Sequence, residues 1–464
     1  MGIVRAGRSE HTQLRNDRHL SVHDLKRRVS EDEIDTVVVA FTDMQGRLQG
    51  KRMHAAYFVD HVLEHGTEGC NYLLSVDVDM NTVSGYAMSS WERGYGDLAF
   101  ALDTETLRLL PHLPGTALVQ CDLLWLDHAP VEQSPRRILQ RQVDAAADLG
   151  YRALAGTELE FIIFDNSYEA AWAAGYTGLT PANQYNVDYS ILGTSRVEPL
   201  LRELRNSLYA AGMNVESAKG ECNLGQHEIG FRYDDVMITA DNHAVYKTMA
   251  KEIAAQHGRA ITFMAKFDER EGNSCHVHLS LRGADGSLVF GDGVERTPLH
   301  DHFVAGLLAT MADFTLLYAP NVNSYKRFTD ASFAPTTISW GTDNRTCAVR
   351  LVGVGPSARL ENRVPGGDVN PYIVLAAMIA GGLHGIRAEL PLEPELVGNA
   401  YTSGRPRLPR TLRAARGAFC DSAVARDAFG NEVVDHYTHL ADSELTAFQS
   451  AVTDWERRRG FERM

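Results

Sequence analysis

Apolar and polar residues follow two alternating rhythms along this chain. Ser21–Ser30 reads as a helix, whereas Asp35–Asp43 (DTVVVAFTD) alternates as a strand does and runs into a turn at Met44-Gln45-Gly46-Arg47. Apolar patches broken by Gly and Asp continue to Leu126, so a small β-rich N-terminal region is expected. Ser134-Pro135 then opens a helical run, RRILQRQVDAAADLG, that Gly150 closes. The expected divisions are a loose tail over 1–20, an N-terminal domain over 21–130 and a larger domain over 131–464.

In the larger part, strands are predicted at Tyr151–Phe164, Ser274–Arg282, Arg345–Val352 and Ala358–Val364. Helices are predicted at Val197–Ala211, Asp241–His257, His302–Tyr318 and Pro371–Glu389. Strands mixed with helices in this way describe an α+β fold. No period of the length used by repeat proteins is visible.

Three of these strands carry chemistry at alternate positions, where side chains share one face. GTELEFIIF places Glu158 and Glu160 together, SCHVHLSL places His276 and His278, and ARLENRV places Arg359, Glu361 and Arg363. A solvated surface strand would alternate in the same way. Several strands that together present carboxylates, imidazoles and guanidiniums instead suit anions and divalent metals. A further segment, ESAKGECNLGQHEIGF, sets Glu221 and Glu228 around a glycine-containing bend. Hard oxygen donors with one or two imidazoles match Mg²⁺ or Mn²⁺ better than a thiolate-bound zinc.

Composition narrows the function classes. The 464 residues are 44% hydrophobic and 23% charged, the range of an ordinary globular protein. A formal net charge of −15 argues against a nucleic-acid partner. Six dispersed cysteines with no C-x-x-C pair point to reduced thiols, and no stretch is long and apolar enough for a membrane span, so a cytoplasmic location is expected. The P-loop, G-x-G-x-x-G and G-x-S-x-G patterns do not occur.

Six ordered segments resemble the motifs of class I glutamine synthetases and their γ-glutamylamide synthetase relatives. They are GTELEF, the E-x₆-E of GECNLGQHE, SCHVHLSL, NSYKRF at Asn323–Phe328, DNRTCAVR at Asp343–Arg350, and RLENRVPGGDVNPY at Arg359–Tyr372. The resemblance implies an N-terminal β-grasp domain and a large catalytic domain with a curved antiparallel sheet and surrounding helices. It also implies a homo-oligomer, usually a dodecamer of two hexameric rings with active sites between neighbouring subunits. ATP would be the co-substrate, with two Mg²⁺ or Mn²⁺ ions per site.

Carried over motif by motif, Glu160, Glu221 and Glu228 would hold one ion, and Glu158, His276 and Glu361 the other. Arg327 and Arg363, with the backbone at Gly272, would hold glutamate, while Arg345, Arg350 and Arg359 would face the phosphates. Arg327 and Arg345 are the expected catalytic pair, and Glu216, His278 and Ser280 match nucleotide-side positions.

Two departures from the family pattern concern the amine. Cys70 or Asn71 stands where ammonia-using members carry an aspartate, and Phe333 stands where they carry a glutamate. A phenyl ring accepts no proton but can face the alkyl stem of a larger amine. Asp330 or Glu68 could replace the lost base, and Glu271 occupies a position that is asparagine in many relatives. Tyr401 lies near the tyrosine that some glutamine synthetases have adenylylated, but in different flanking sequence. The sequence therefore reads as an ATP-dependent ligase joining the γ-carboxylate of glutamate to an organic amine, either a polyamine or an ethanolamine-like one. Ammonia-dependent glutamine synthesis and a non-catalytic scaffold or sensor are the alternatives.

Overall fold

The computed structural model describes residues 19–291 and 295–464. The tail expected over 1–20 lies outside the described residues except at its end. There Leu20 is buried and its N–H donates to Leu107 O at 3.0 Å, so the end of the expected tail is packed on the N-terminal sheet.

The first helix, Val22–Ser30, starts where the Ser21 hydroxyl accepts from Asp24 N. Strand β1 (Thr36–Thr42) follows and turns into β2 (Leu48–His54) through Asp43. The Asp43 carboxylate accepts from the backbone N–H of Gln45 and Arg47 and from Arg47 Nε, at 2.8–3.0 Å, which fixes the turn. With β3 (Thr67–Cys70), β4 (Asp97–Leu109) and β5 (Thr116–Leu124) they form a five-stranded sheet in the order β2-β1-β5-β4-β3, in which β1 and β5 run parallel. Its apolar face is Val37, Val39, Phe41, Phe100, Val119 and Leu123, closed by Leu25 and Phe58.

The helix Pro135–Ala147 leads into β6 (Tyr151–Phe164), which is the strand the alternation predicted. Strands β7 (Val215–Gly220), β8 (Gln226–Phe231), β9 (Asp234–Asp235), β10 (Ala260–Thr262), β11 (Cys275–Gly283), β12 (Trp340–Thr342), β13 (Val349–Val352) and β14 (Arg359–Asn362) complete a nine-stranded sheet. Its main path is β12-β13-β14-β11-β6-β8-β7, antiparallel apart from β12 with β13. The expected α+β fold is thus the one observed.

The helices Glu198–Ala210 and Val236–Gln256 pack against this sheet, and Pro298–Thr310, Pro371–Arg387 and Asn431–Ser450 pack on further helices around the same core. Pro298–Thr310 and Pro371–Arg387 pack with their backbones nearly touching, because a Cβ at Gly385 would fall 2.0 Å from His302 O. Most expected elements appear with ends shifted by a residue or two, and three differ further. The helix expected from Asp241 begins at Val236, and the one expected over His302–Tyr318 starts at Pro298 and breaks between Thr310 and Thr315. The strand expected from Arg345 begins at Val349, since residues 345–348 form a turn in which Cys347 N donates to Asn344 O. Among the described residues no helix is long and apolar enough to cross a membrane.

Polar contacts tie the five-stranded sheet to the helices. Buried Arg136 bonds Asp103, Asp122 and Asp241 at 2.6–3.1 Å, and the Tyr372 hydroxyl, itself accepting from Gln120, donates to Asp241 at 2.7 Å.

Candidate active site

Strand register assembles the site. On β6, Glu158 and Glu160 share one face. Glu160 stands opposite Glu228 on β8, and Glu228 stands opposite Lys219 on β7. In the other direction Glu158 faces His276 on β11, His278 faces Glu361 on β14, and Glu361 faces Arg350 on β13. The polar face of the sheet therefore carries a row of carboxylates and imidazoles with cations at both ends.

Among the described residues three groups of ligand atoms lie close enough for an ion; two stand on the carboxylate row, and the third is Asp188, Glu221 and Cys222. Glu160, Glu221 and Glu228 each bring one oxygen within 4.8 Å of the others, and Glu158, His278 and Glu361 do the same with their ligand atoms. The first group is the predicted one. In the second, His278 joins the carboxylates although the resemblance put it on the nucleotide side, while His276 Nδ1 remains 3.3 Å from Glu158 and 3.5 Å from Glu361. Both imidazoles thus reach Glu158, because i and i+2 on one strand point the same way.

The electrostatics of the first group are those of a site built for a cation. Burial and then Glu158, Glu160 and Glu221 push the Glu228 carboxyl well above its usual range. Burial and the neighbouring Glu160 push Glu221 up to about 7, with Lys219 opposing. Glu158 goes the other way: burial would raise it, but hydrogen bonds from His276 and His278 hold it well below the usual range. Glu160 is held in place by Ser274 N at 2.6 Å and Gln226 Nε2 at 3.1 Å. Buried carboxylates with hard oxygen donors and flanking imidazoles fit a divalent ion of the Mg²⁺ or Mn²⁺ type.

Arginines line the other side. Arg327 is buried and donates to Val364 O at 2.8 Å and Arg363 O at 3.0 Å; burial lowers it to about 10 despite nearby Glu160. Arg363 donates to Glu361 at 2.6 Å and to Phe333 O at 3.4 Å, and its buried Nε has no hydrogen-bond partner among the described residues. A buried guanidinium N–H left open beside a cavity is chemically suited to an incoming anion. Arg350 donates to Glu361 at 3.0 Å and to Asp343.

Two cavities meet at Glu158 and Glu228. The larger, about 710 Å³, holds the first carboxylate group together with His276, Glu361, Arg327, Arg345, Arg350 and Arg363. Gly272 and Phe333 also line it. Gly272 presses its backbone so close that a Cβ would meet Ala265 O at 2.2 Å. The smaller, about 350 Å³, is lined by Glu216, His278, Ser280 and Arg359. Arg350, expected among the phosphate ligands, belongs to the larger cavity.

The structure does not gather every expected residue. Cys70 and Asn71 line neither cavity of this chain; Asn71 is buried and accepts from the Ser89 hydroxyl at 2.8 Å. Asp330 and Glu68 line neither as well, and Asp330 is engaged by Thr336 and Arg407. The Tyr401 hydroxyl donates to Ala334 O at 3.1 Å, which fastens the loop that carries Phe333. Sequence reasoning missed Asp188, Tyr189 and Lys219, all of which line the larger cavity. Lys219 had one signal, its position two residues before Glu221.

The family described as glutamine synthetase, catalytic domain, matches residues 132–460. The chain is 61% identical to the γ-glutamylethanolamide synthetase GlnA4 of Streptomyces coelicolor over 96% of each chain. It is 37% identical to a glutamate–isopropylamine ligase of a Pseudomonas species, over 93% of this chain and 96% of the relative. The γ-glutamylputrescine synthetase PuuA of Escherichia coli is 30% identical over 90% of each. Among solved structures, an ADP complex of GmaS superposes with a TM-score of 0.83 at 27% identity, covering 95% of this chain and 99% of that one.

Proposed function

The chain belongs to the glutamine synthetase family, as a carbon–nitrogen ligase of the γ-glutamylamide type, and from that premise we infer that it couples the γ-carboxylate of glutamate to an organic amine at the expense of ATP. The observation that carries this reading is the meeting of the two cavities at Glu158 and Glu228. One cavity is suited to a nucleotide and the other to an amino acid, with the carboxylate row between them.

A free carboxylate is a poor acyl donor. In the reaction proposed here its oxygen takes the γ-phosphoryl group of ATP, leaving ADP and a γ-glutamyl phosphate. The uncharged amine nitrogen then attacks the acyl carbon and phosphate departs. Divalent ions held by Glu160, Glu221 and Glu228 and by Glu158, Glu361 and the histidines would neutralise the phosphoryl oxygens. Arg345 and Arg350 would stabilise the charge that moves onto those oxygens, and Arg327 and Arg363 would bind the glutamate α-carboxylate. Glu216, His278, Ser280 and Arg359 would contact the nucleotide.

Phe333, lining the larger cavity and 57% exposed, supports an amine with a carbon stem, as do the relatives named for ethanolamine, isopropylamine and putrescine. The separation of Cys70 and Asn71 from this chain's cavities supports a ring in which a neighbouring subunit's N-terminal region completes the site, and we expect a dodecamer. The test is glutamate-dependent phosphate release from ATP with Mg²⁺ and a panel of amines, run beside a mass measurement of the assembly. No release with any organic amine sinks the reading.

A further inference from the structure

Among the described residues Lys219 is the one lysine lining the larger cavity, on β7 at the opposite end of the strand order from Arg350 on β13. Its ammonium pairs with Glu221, lies 3.8 Å from Asp188 and sits 4.6 Å over the Tyr189 ring. The surroundings are built rather than incidental. Gly220 leaves no room for a Cβ, which would fall 2.3 Å from Val187 O, so residues 187–189 lie directly against β7. Asp188 N donates to Asn186 Oδ1 at 2.8 Å, which shapes the bend presenting Asp188 and Tyr189 to the lysine.

An aromatic face with two carboxylates is the chemistry that recognises an ammonium group. Here the chain supplies that ammonium itself. We propose that Lys219 is a specificity-determining residue of the amine subsite: its fixed charge occupies the cation cage and opposes a second positive charge on the substrate, so the site takes monoamines with a neutral far end. This rests on the amine-ligase reading and refines its substrate class. A diamine that reaches this end of the cavity would set its distal ammonium against Lys219, whose carboxylate neighbours Glu221 and Asp188 are already engaged by the lysine. Specificity then comes from a repulsive element as much as from an attractive one.

The experiment compares putrescine with aminobutanol, which match in length and differ in the charge of the far end, in the wild-type enzyme and in Lys219→Met and Lys219→Arg. Wild type should favour aminobutanol in kcat/KM by on the order of ten- to a hundred-fold, a Coulombic effect in a partly screened site. Lys219→Met should cut that ratio at least about ten-fold, mainly through the KM for putrescine, and Lys219→Arg should keep it. Lys219→Gln makes the same comparison if the methionine variant fails to fold. An unchanged ratio in the uncharged variants, with organic amines still turned over, overturns the role of Lys219 alone. Turnover of ammonium and of no organic amine in wild type overturns the ligase reading and this inference together.

Discussion

Glu160 and Glu228 stand directly opposite each other on neighbouring strands, two carboxylates facing across β6 and β8 inside a buried site. Like charges in that position destabilise a sheet, and the arrangement makes sense only if a cation is to come between them. The protein without metal should therefore be strained here. Glu228→Gln should raise its Tm in the absence of metal by a few degrees while abolishing the stabilisation that Mg²⁺ or Mn²⁺ gives, read by calorimetry.

The sign of the pH effect on the same site follows from Glu221, raised in the folded protein from 4.5 to about 7 by burial and by Glu160. A carboxyl raised on folding contributes stability below its unfolded value and loses it as pH rises through the folded one. The metal-free protein should lose stability between pH 4.5 and 7, and bound metal should return it. The Tm gain on adding Mn²⁺ should be larger near pH 8 than near pH 6. An equal gain at both would detach the ion from these carboxylates.

Arg363 connects glutamate recognition to the metal ligands, since its guanidinium holds Glu361 and leaves Nε open. Lysine keeps the charge but not the fork. Arg363→Lys should raise the KM for glutamate by roughly ten- to a hundred-fold with a smaller effect on that for ATP. Initial-rate kinetics with each substrate varied will separate the two.

Arg136 ties the five-stranded sheet to the helices through three carboxylates. Replacing it with methionine takes the shared cation from buried Asp103 and Asp241 and from half-buried Asp122. The loss should be about 3–5 kcal/mol. Denaturant unfolding of Arg136→Met would show it, and a variant as stable as wild type would mean that the network contributes little.

Much of this site was legible because β-strands convert a two-residue sequence period into a shared face. The pairs Glu158/Glu160 and His276/His278 could be read in that way before any fold was known. Lys219 could not, because an isolated lysine on a strand reads as solvated until β7 pairs with β8 and sets it opposite Glu228. The start of the helix at Val236 was hidden for a related reason. That helix is buried on several sides, so its first turns show no polar stripe to mark a period. The break after Thr310 leaves no mark in the sequence because Met311 and Ala312 are good helix formers, while the Thr310 and Thr315 hydroxyls bond carbonyls one turn back. Cys70 and Asn71 were expected at the amine site by resemblance alone, and one chain does not bring them there.

The account as a whole stands on the choice of amine. The most direct measurement is a competition: wild-type enzyme with glutamate, ATP and Mg²⁺, ammonium and ethanolamine present together at equal concentration, and the products quantified by mass. The ratio of amide to glutamine is then the ratio of kcat/KM values. With Phe333 lining the larger cavity, γ-glutamylethanolamide should exceed glutamine by at least about ten-fold. Glutamine as the main product would contradict the account, and would mean that another group in the larger cavity binds and deprotonates ammonium.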